Sequence, residues 1–348
     1  MARNKTETPG RPTIYDVARE VGFSPATVSR ALAGSPAVGP DTSAAILQAA
    51  ERLGFRPNAL ARRLSTQRSR TVGMLVPDIT NPYFPMLIRH LQRQAQTLGY
   101  DVLFCDTDDD PDAELRFLES LISQQVRCAI TIGLQLDAKA VASVVAQGLR
   151  IVTLDREAEH VSGLTHVGSN NRAGAIMAVN YLVGLGHNRI AHISGPRKLN
   201  VATERARGYR SALAKAGIPI DDRLILEADF SDRGGAEALA ALMQIDDPPT
   251  AIFASDDVMA IGAISAATDL GLRVPKDLSI VGFDDIPIAS LLRPKLTTVR
   301  QDVPKLAQRA FLAAVGDEPQ RNPPHIPVTL VERKSARPPS RNQKSQTD

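Results

Sequence analysis

The chain has 348 residues, 43% of them hydrophobic, enough for two or three separate cores. Aromatic content is 4% and Trp is absent, so those cores are aliphatic. No run of 18 apolar residues occurs, which argues against a membrane helix, and residues 1–11 are polar, without the apolar segment of a secretory signal; a cytoplasmic location is expected.

The net charge of +3 is unevenly placed: residues 1–70 hold 11 Lys+Arg against 5 Asp+Glu, and the remainder holds 30 against 33. A basic head on a slightly acidic body suggests a polyanionic partner, or a basic tail with none. Residues 1–11 read as disordered. Thr13 with Asp16 forms a capping pattern, and Ile14, Val17, Ala18 and Val21 make one apolar stripe, broken by Gly22. Ser24 caps a second helix with Pro25 at its first position, and Val28, Ala31 and Leu32 give that helix its inner face. After a loop, Asp41 opens a third helix, with Ile46, Ala49, Ala50 and Leu53 inward and Gly54 as its stop. Two short helices joined by a turn and backed by a third form a helix-turn-helix unit over 12–56. In such units the second helix enters the major groove, which here presents Pro25, Ala26, Thr27, Ser29 and Arg30. Arg30 suits a bidentate contact to guanine, and Ser29 or Thr27 can reach phosphate or base. A structural or protein-binding three-helix bundle fits the same pattern. Residues 57–70, PNALARRLSTQRSR, offer Asn58 as a cap for a helix of two turns at most, too short to be stable alone.

From residue 71 strand-like and helix-like segments alternate. TVGMLVP, DVLFCDT, CAITIGL, RIVTLDR, RIAHISG, LILEADF, TAIFASD, LSIVGFD and PVTLVERK read as strands. Helices with 3.6-residue stripes lie between many of them, including one over 303–315. This alternation predicts parallel sheets covered by helices on both faces, in two similar subdomains. The expected division is 71–168 with 297–322 in one, and 169–296 with 323–335 in the other. The tail, 336–348, reads as disordered because it is polar, rich in Pro and free of any apolar stripe. The strands end on Asp78, Asp106, Gly133, Asp155 with Arg156, Gly195, Asp229, Asp256 with Asp257, and Asp284 with Asp285. Ligands of open α/β sheets sit beyond such ends, and carboxylates with guanidiniums suit a hydroxyl-rich ligand. Each Asp equally suits a helix cap, Asp257 in particular for the helix from Val258. Cys105 and Cys128 read as small buried hydrophobes, and His187 and His192, five apart, do not share a helix face. No GxGxxG after the first strand, P-loop, HExxH or GxSxG is present, so an enzyme is not expected, nor is any metal or cofactor.

The string TIYDVAREVGFSPATVSRALAGSPAVGPDT, followed by LGFRPNALARRL, resembles the N-terminal signature of the lactose-repressor family of bacterial transcription regulators. The resemblance continues through VPDITNPYF, VTLDR, ERARGY, FASDD and VPKDLSIVGFDD, to about Arg333. It implies an all-α helix-turn-helix head on an α/β body of two doubly wound parallel-sheet subdomains, like a periplasmic binding protein. Residues 57–70 would be the family's hinge helix and linker, with Leu64 as a minor-groove wedge and Ala61 at the close contact of two hinge helices. Thr13, Tyr15, Ser24 and Asn58 would join residues 25–30 at the DNA. The effector positions would be Asn81, Phe84, Asp155, Arg156, Arg205, Asp256 and Asp284; Asp256 stands where many members have Asn. The implied protein is a homodimer that binds a pseudo-palindromic double-stranded operator and responds to a small effector, a sugar or sugar derivative. A solute-binding protein without a regulatory role is the alternative, disfavoured by the head and by the polar N-terminus.

Overall fold

The computed structural model describes residues 12–32, 34–55, 70–154, 163–316 and 324–340. Contacts divide the chain into two units, 1–69 and 70–348.

In the first unit α1 (Ile14–Val21), α2 (Pro25–Leu32) and α3 (Pro40–Arg52) follow one another. Thr13 N and Oγ1 donate to the Asp16 carboxylate at 2.8 and 2.7 Å, which satisfies the start of α1. Gly22, at φ 70°, ends it in the left-handed conformation that a residue with a side chain resists. Val17, Ala18, Val28, Ala31, Ile46, Ala49 and Ala50 form the core, the inward stripes expected of the three helices.

The second unit holds two sheets. The first is ordered β2-β1-β3-β4-β5, from β1 (Thr71–Val76), β2 (Asp101–Asp106), β3 (Cys128–Ile132), β4 (Arg150–Leu154) and β5 (Leu164–Val167), all parallel. The second is ordered β11-β10-β9-β8-β6-β7, from β6 (Ile190–Ser194), β7 (Ile225–Glu227), β8 (Ala251–Ala254), β9 (Ser279–Asp284), β10 (Thr297–Gln301) and β11 (Val328–Val331). Only the β10–β11 pairing is antiparallel. The first sheet packs α4 (Tyr83–Leu98) and α11 (Val303–Val315) on one face, and α5 (Pro111–Ser123) and α6 (Ala138–Ala146) on the other. The second packs α7 (Asn171–Gly184) and α8 (Asn200–Lys215) on one face, and α9 (Asp232–Leu242) and α10 (Asp257–Asp269) on the other. Buried Leu306, Ala310 and Phe311 of α11 share a cluster with Tyr83, Leu87 and Leu91 of α4, and the Phe311 ring meets Tyr100 edge-on at 5.7 Å.

Three details differ from the sequence reading. TTVRQ, expected as a crossover near Thr297 into the first subdomain, is instead strand β10 of the second sheet, paired with Val281–Asp284 on one side and Val328–Val331 on the other. The chain changes lobe after it, at Asp302, whose side chain caps α11. Strand β5 and helix α6 were not anticipated. The expectation of disorder over 336–348 fails for 336–340. Arg337 N donates to Ser279 Oγ at 3.1 Å, His187 Nε2 lies 2.9 Å from the Arg337 carbonyl, and Ala336 packs on the core of the second lobe. Hydrogen bonds from its backbone and from the Arg337 and Ser340 side chains fix this stretch, which is why it needs no apolar stripe. Residues 341–348 lie outside the described residues.

Candidate functional site

A cavity of about 610 Å³ lies between the two lobes of the second unit, within the size of small-molecule sites. It opens where each strand order reverses, beyond β1 and β3 in one lobe and β6 and β8 in the other, as open α/β sheets dictate. Pro77 and Asp78 after β1, Gly133 after β3, Pro196 after β6 and Asp256 after β8 all reach it. Five of the expected effector residues line it: Asn81, Phe84, Arg205, Asp256 and Asp284. Asp155 and Arg156 lie outside the described residues.

Arg205, 4% exposed on α8, is held on every side. Its Nε donates to Asn171 Oδ1 at 2.9 Å, Nη1 to the Ser255 carbonyl at 2.5 Å and Nη2 to Asp284 Oδ1 at 3.3 Å. Its guanidinium stacks 3.8 Å above the centroid of Phe283. Asp284 also accepts from Gln301 Nε2 at 2.8 Å, and its φ of 109° is a conformation that costs a non-glycine residue about 1–3 kcal/mol. The cleft thus holds a buried ion pair on a strained strand end.

Beside it stand two more buried acids. Asp256 caps α10, accepting from Met259 N at 2.8 Å, and receives Asn81 Nδ2 at 3.3 Å. Burial, then the charge of Asp284, pushes its pKa up to about 8. Asp257, read from sequence as the cap, is instead turned inward: it accepts from Thr298 Oγ1 at 2.5 Å and from Ile286 N at 2.9 Å. Burial and the neighbouring Asp284 raise its carboxyl well above the usual range. Cap geometry admits only the residue just before the first helical turn, and Asp256 holds that place.

The sequence reading missed Phe230. It lines the cavity at φ 63°, its ring pressed on Gly195, where an added Cβ would lie 2.1 Å from the ring tip. An aromatic residue next to a strand-end Asp was the available signal. Among the described residues no group of three or more His, Cys, Asp or Glu could hold a metal ion, and no helix is long and apolar enough to cross a membrane. Cys128 is buried, whereas Cys105, on edge strand β2, is only partly so. His187 serves the tail and Thr250, and His192 stacks between Phe253 and Tyr209, so neither faces a ligand site.

In the first unit the expected DNA-facing residues share the outside of α1 and α2. Thr13, Ser24, Ala26 and Arg30 are exposed, Pro25, Thr27 and Ser29 half-buried, and Tyr15 is 66% exposed. The Ser24 and Thr27 hydroxyls lie 2.9 Å apart and Thr27 N donates to Ser24 Oγ at 3.2 Å, so this pair fixes the start of α2. Asn58, Ala61 and Leu64 lie outside the described residues.

Residues 13–58 match the model of bacterial regulatory proteins of the lacI family, and 179–336 that of a periplasmic binding protein-like domain. The chain is 37% identical over 311 residues to catabolite control protein A of Priestia megaterium, covering 88% of this chain and 93% of that protein. It is similar to the Lac repressor dimer bound to operator and the anti-inducer ONPF (TM-score 0.82, 28% identity, 94% of this chain and 100% of that one). It also resembles a regulator from Enterococcus faecium with bound ribose (TM-score 0.70, 29% identity, 78% of this chain and 100% of that one). The protein is therefore a DNA-binding transcription regulator, neither an enzyme nor a plain solute-binding protein, and the chain belongs to the lacI family.

Proposed function

We propose that the protein is a homodimeric, cytoplasmic repressor that binds a pseudo-palindromic operator and releases it when a carbohydrate fills the cleft. The observation that carries this reading is the interlobe cavity, rimmed by Arg205, Asp256 and Asp284 at strand ends, in a chain that also carries a helix-turn-helix head. Carboxylates there accept from vicinal hydroxyls and the guanidinium donates to ring or hydroxyl oxygens, while Phe84 and Phe230 offer apolar faces to a sugar ring. Asn81, Asp155 and Arg156 complete the proposed effector set. The operator-bound relative is a dimer and another relative holds ribose, which supports the same assignment here.

On the DNA side α2 lies in the major groove, with Pro25, Ala26, Ser29 and Arg30 at base edges and Thr13, Tyr15, Ser24 and Thr27 at the backbone. Asn58, Ala61 and Leu64 act in the minor groove, where an apolar wedge kinks the duplex. Cleft closure alters whether two such segments can pair, so effector and operator affinities are coupled reciprocally. A gel-shift series on the full-length protein, with sugars, sugar acids, polyols and nucleosides, tests this. Release of a selected duplex by at least one carbohydrate is expected. Binding without any response across the panel sinks the effector assignment, and no specific duplex binding sinks the regulatory one.

A further inference from the structure

A hydrogen bond runs straight across the cleft. Asn81, after β1 in the first lobe, donates through Nδ2 to Asp256 Oδ2, after β8 in the second, at 3.3 Å. The remaining polar atom of each side chain is committed to its own lobe. Asn81 Oδ1 accepts from Tyr83 N at 3.1 Å, and Asp256 Oδ1 accepts from Met259 N at 2.8 Å. Each residue therefore holds the first turn of the helix behind it, α4 or α10, and the bond ties two helix N-termini together from opposite lobes. Asp256 is 2% exposed, and the charged groups around it are Asp257, Asp284 and Arg205. A carboxyl so placed depends on the donors that reach it, and one of these comes from the opposite wall.

We propose that the Asn81–Asp256 bond is a latch between the lobes, and that the effector acts on it by offering a hydroxyl or amine hydrogen to Asp256 in place of the Asn81 amide. The second half of this statement rests on the reading of the cleft as the effector site; the first half does not. Chemistry then limits the effector. An anionic group at this point would face Asp284 and, once it is ionised, Asp256, whereas among the described residues the cations of the wall are Lys198 and Arg205, and Arg205 is already paired. The latch selects ligands that carry hydrogen-bond donors and no acid group there.

A double-mutant cycle on the full-length protein, with no ligand added, tests the latch. Asn81→Asp keeps an oxygen for Tyr83 N and, with the cycle run at pH 9 so that Asp256 is ionised, sets a carboxylate against a carboxylate. Asp256→Asn keeps an oxygen for Met259 N but sets amide against amide. The double variant restores a donor–acceptor pair in the reverse sense with both helix starts intact. Operator affinity is read by fluorescence anisotropy on a duplex selected by the wild type from a randomised pool, and lobe separation by small-angle scattering. Each single variant is expected to shift operator affinity by about tenfold and to widen the body, and the double variant to return within about twofold of the wild type. Single variants that match the wild type, or a double variant no closer to it than the singles, overturn the proposal. The cycle uses no sugar, so its failure is distinguishable from an unresponsive ligand panel.

Discussion

The head and the cleft use the same polar residue types in opposite settings. In the head, Thr13, Ser24 and Arg30 lie on the outside of two short helices over a small aliphatic core. In the cleft Arg205, Asp256 and Asp284, and behind it Asp257, are all buried, and each is fixed by partners distant in sequence. An exposed side chain can be exchanged at little cost to the fold. A buried ion pair cannot lose one member without stranding the other. Specificity for DNA is thus separable from stability, whereas ligand recognition is not.

The largest test of that contrast is Arg205→Ala. Loss of the buried guanidinium beside Asp284 should abolish the effector response and lower the stability of the body by about 3–5 kcal/mol. Calorimetric unfolding with ligand titration measures both, and a response persisting at the wild-type effector concentration would show the pocket misplaced. Ile46→Ala, in the middle of the head core, should cost about 2–5 kcal/mol and abolish operator binding. Amide exchange should rise in residues 12–55 and stay unchanged over 70–340; a loss spread through the body would break the comparison. Arg30→Ala should weaken specific operator binding by about 1–3 kcal/mol with no change in thermal stability. Equal loss on random duplex would remove its base-reading role.

The last test is a slope. Asp256 titrates near 8 in the folded protein, above its unfolded value near 4, so the folded state holds a proton through that window that the unfolded state has lost. Folding is favoured below the window, and stability falls as pH rises from about 4 towards 8, by about 1.4 kcal/mol per pH unit for this group. Asp256→Asn should flatten the fall, whatever it does to absolute stability. Denaturant midpoints between pH 5 and 8 measure it; equal slopes in both proteins would remove the buried-acid assignment.

What the sequence made legible follows the same division. The head core could be read from helical spacing alone, because each of its helices carries its own stripe and its own cap. In the body, helix 303–315 was equally plain, but β5 and β10 were not. LTHV is four residues long and TTVRQ is mostly polar, and both are strands only because neighbours far along the chain pair with them. Periodicity could not choose between Asp256 and Asp257 either: adjacent carboxylates look alike until one of them turns towards Thr298. Arg205 entered through family resemblance, since nothing in its helical spacing marks it for a cleft. The anchoring of 336–340 left no apolar signature, because Ser279 and His187 grip the backbone there and the Arg337 and Ser340 side chains bond the Lys276 carbonyl.

Helix α11 belongs to the first lobe yet follows nearly all of the second lobe in the chain. During synthesis the ribosome finishes the first sheet by residue 167, but the part of one face that α4 leaves uncovered, and the side of α4 itself, stay bare until residues 303–315 emerge. Everything from 171 to 301 is made in the meantime. A nascent chain halted in that interval carries an aliphatic surface with no cover of its own, which is the kind of surface that chaperones and proteases engage. Premature stops before α11 should therefore yield protein that is cleared or aggregates, rather than a stable half-molecule able to occupy DNA and block the intact protein.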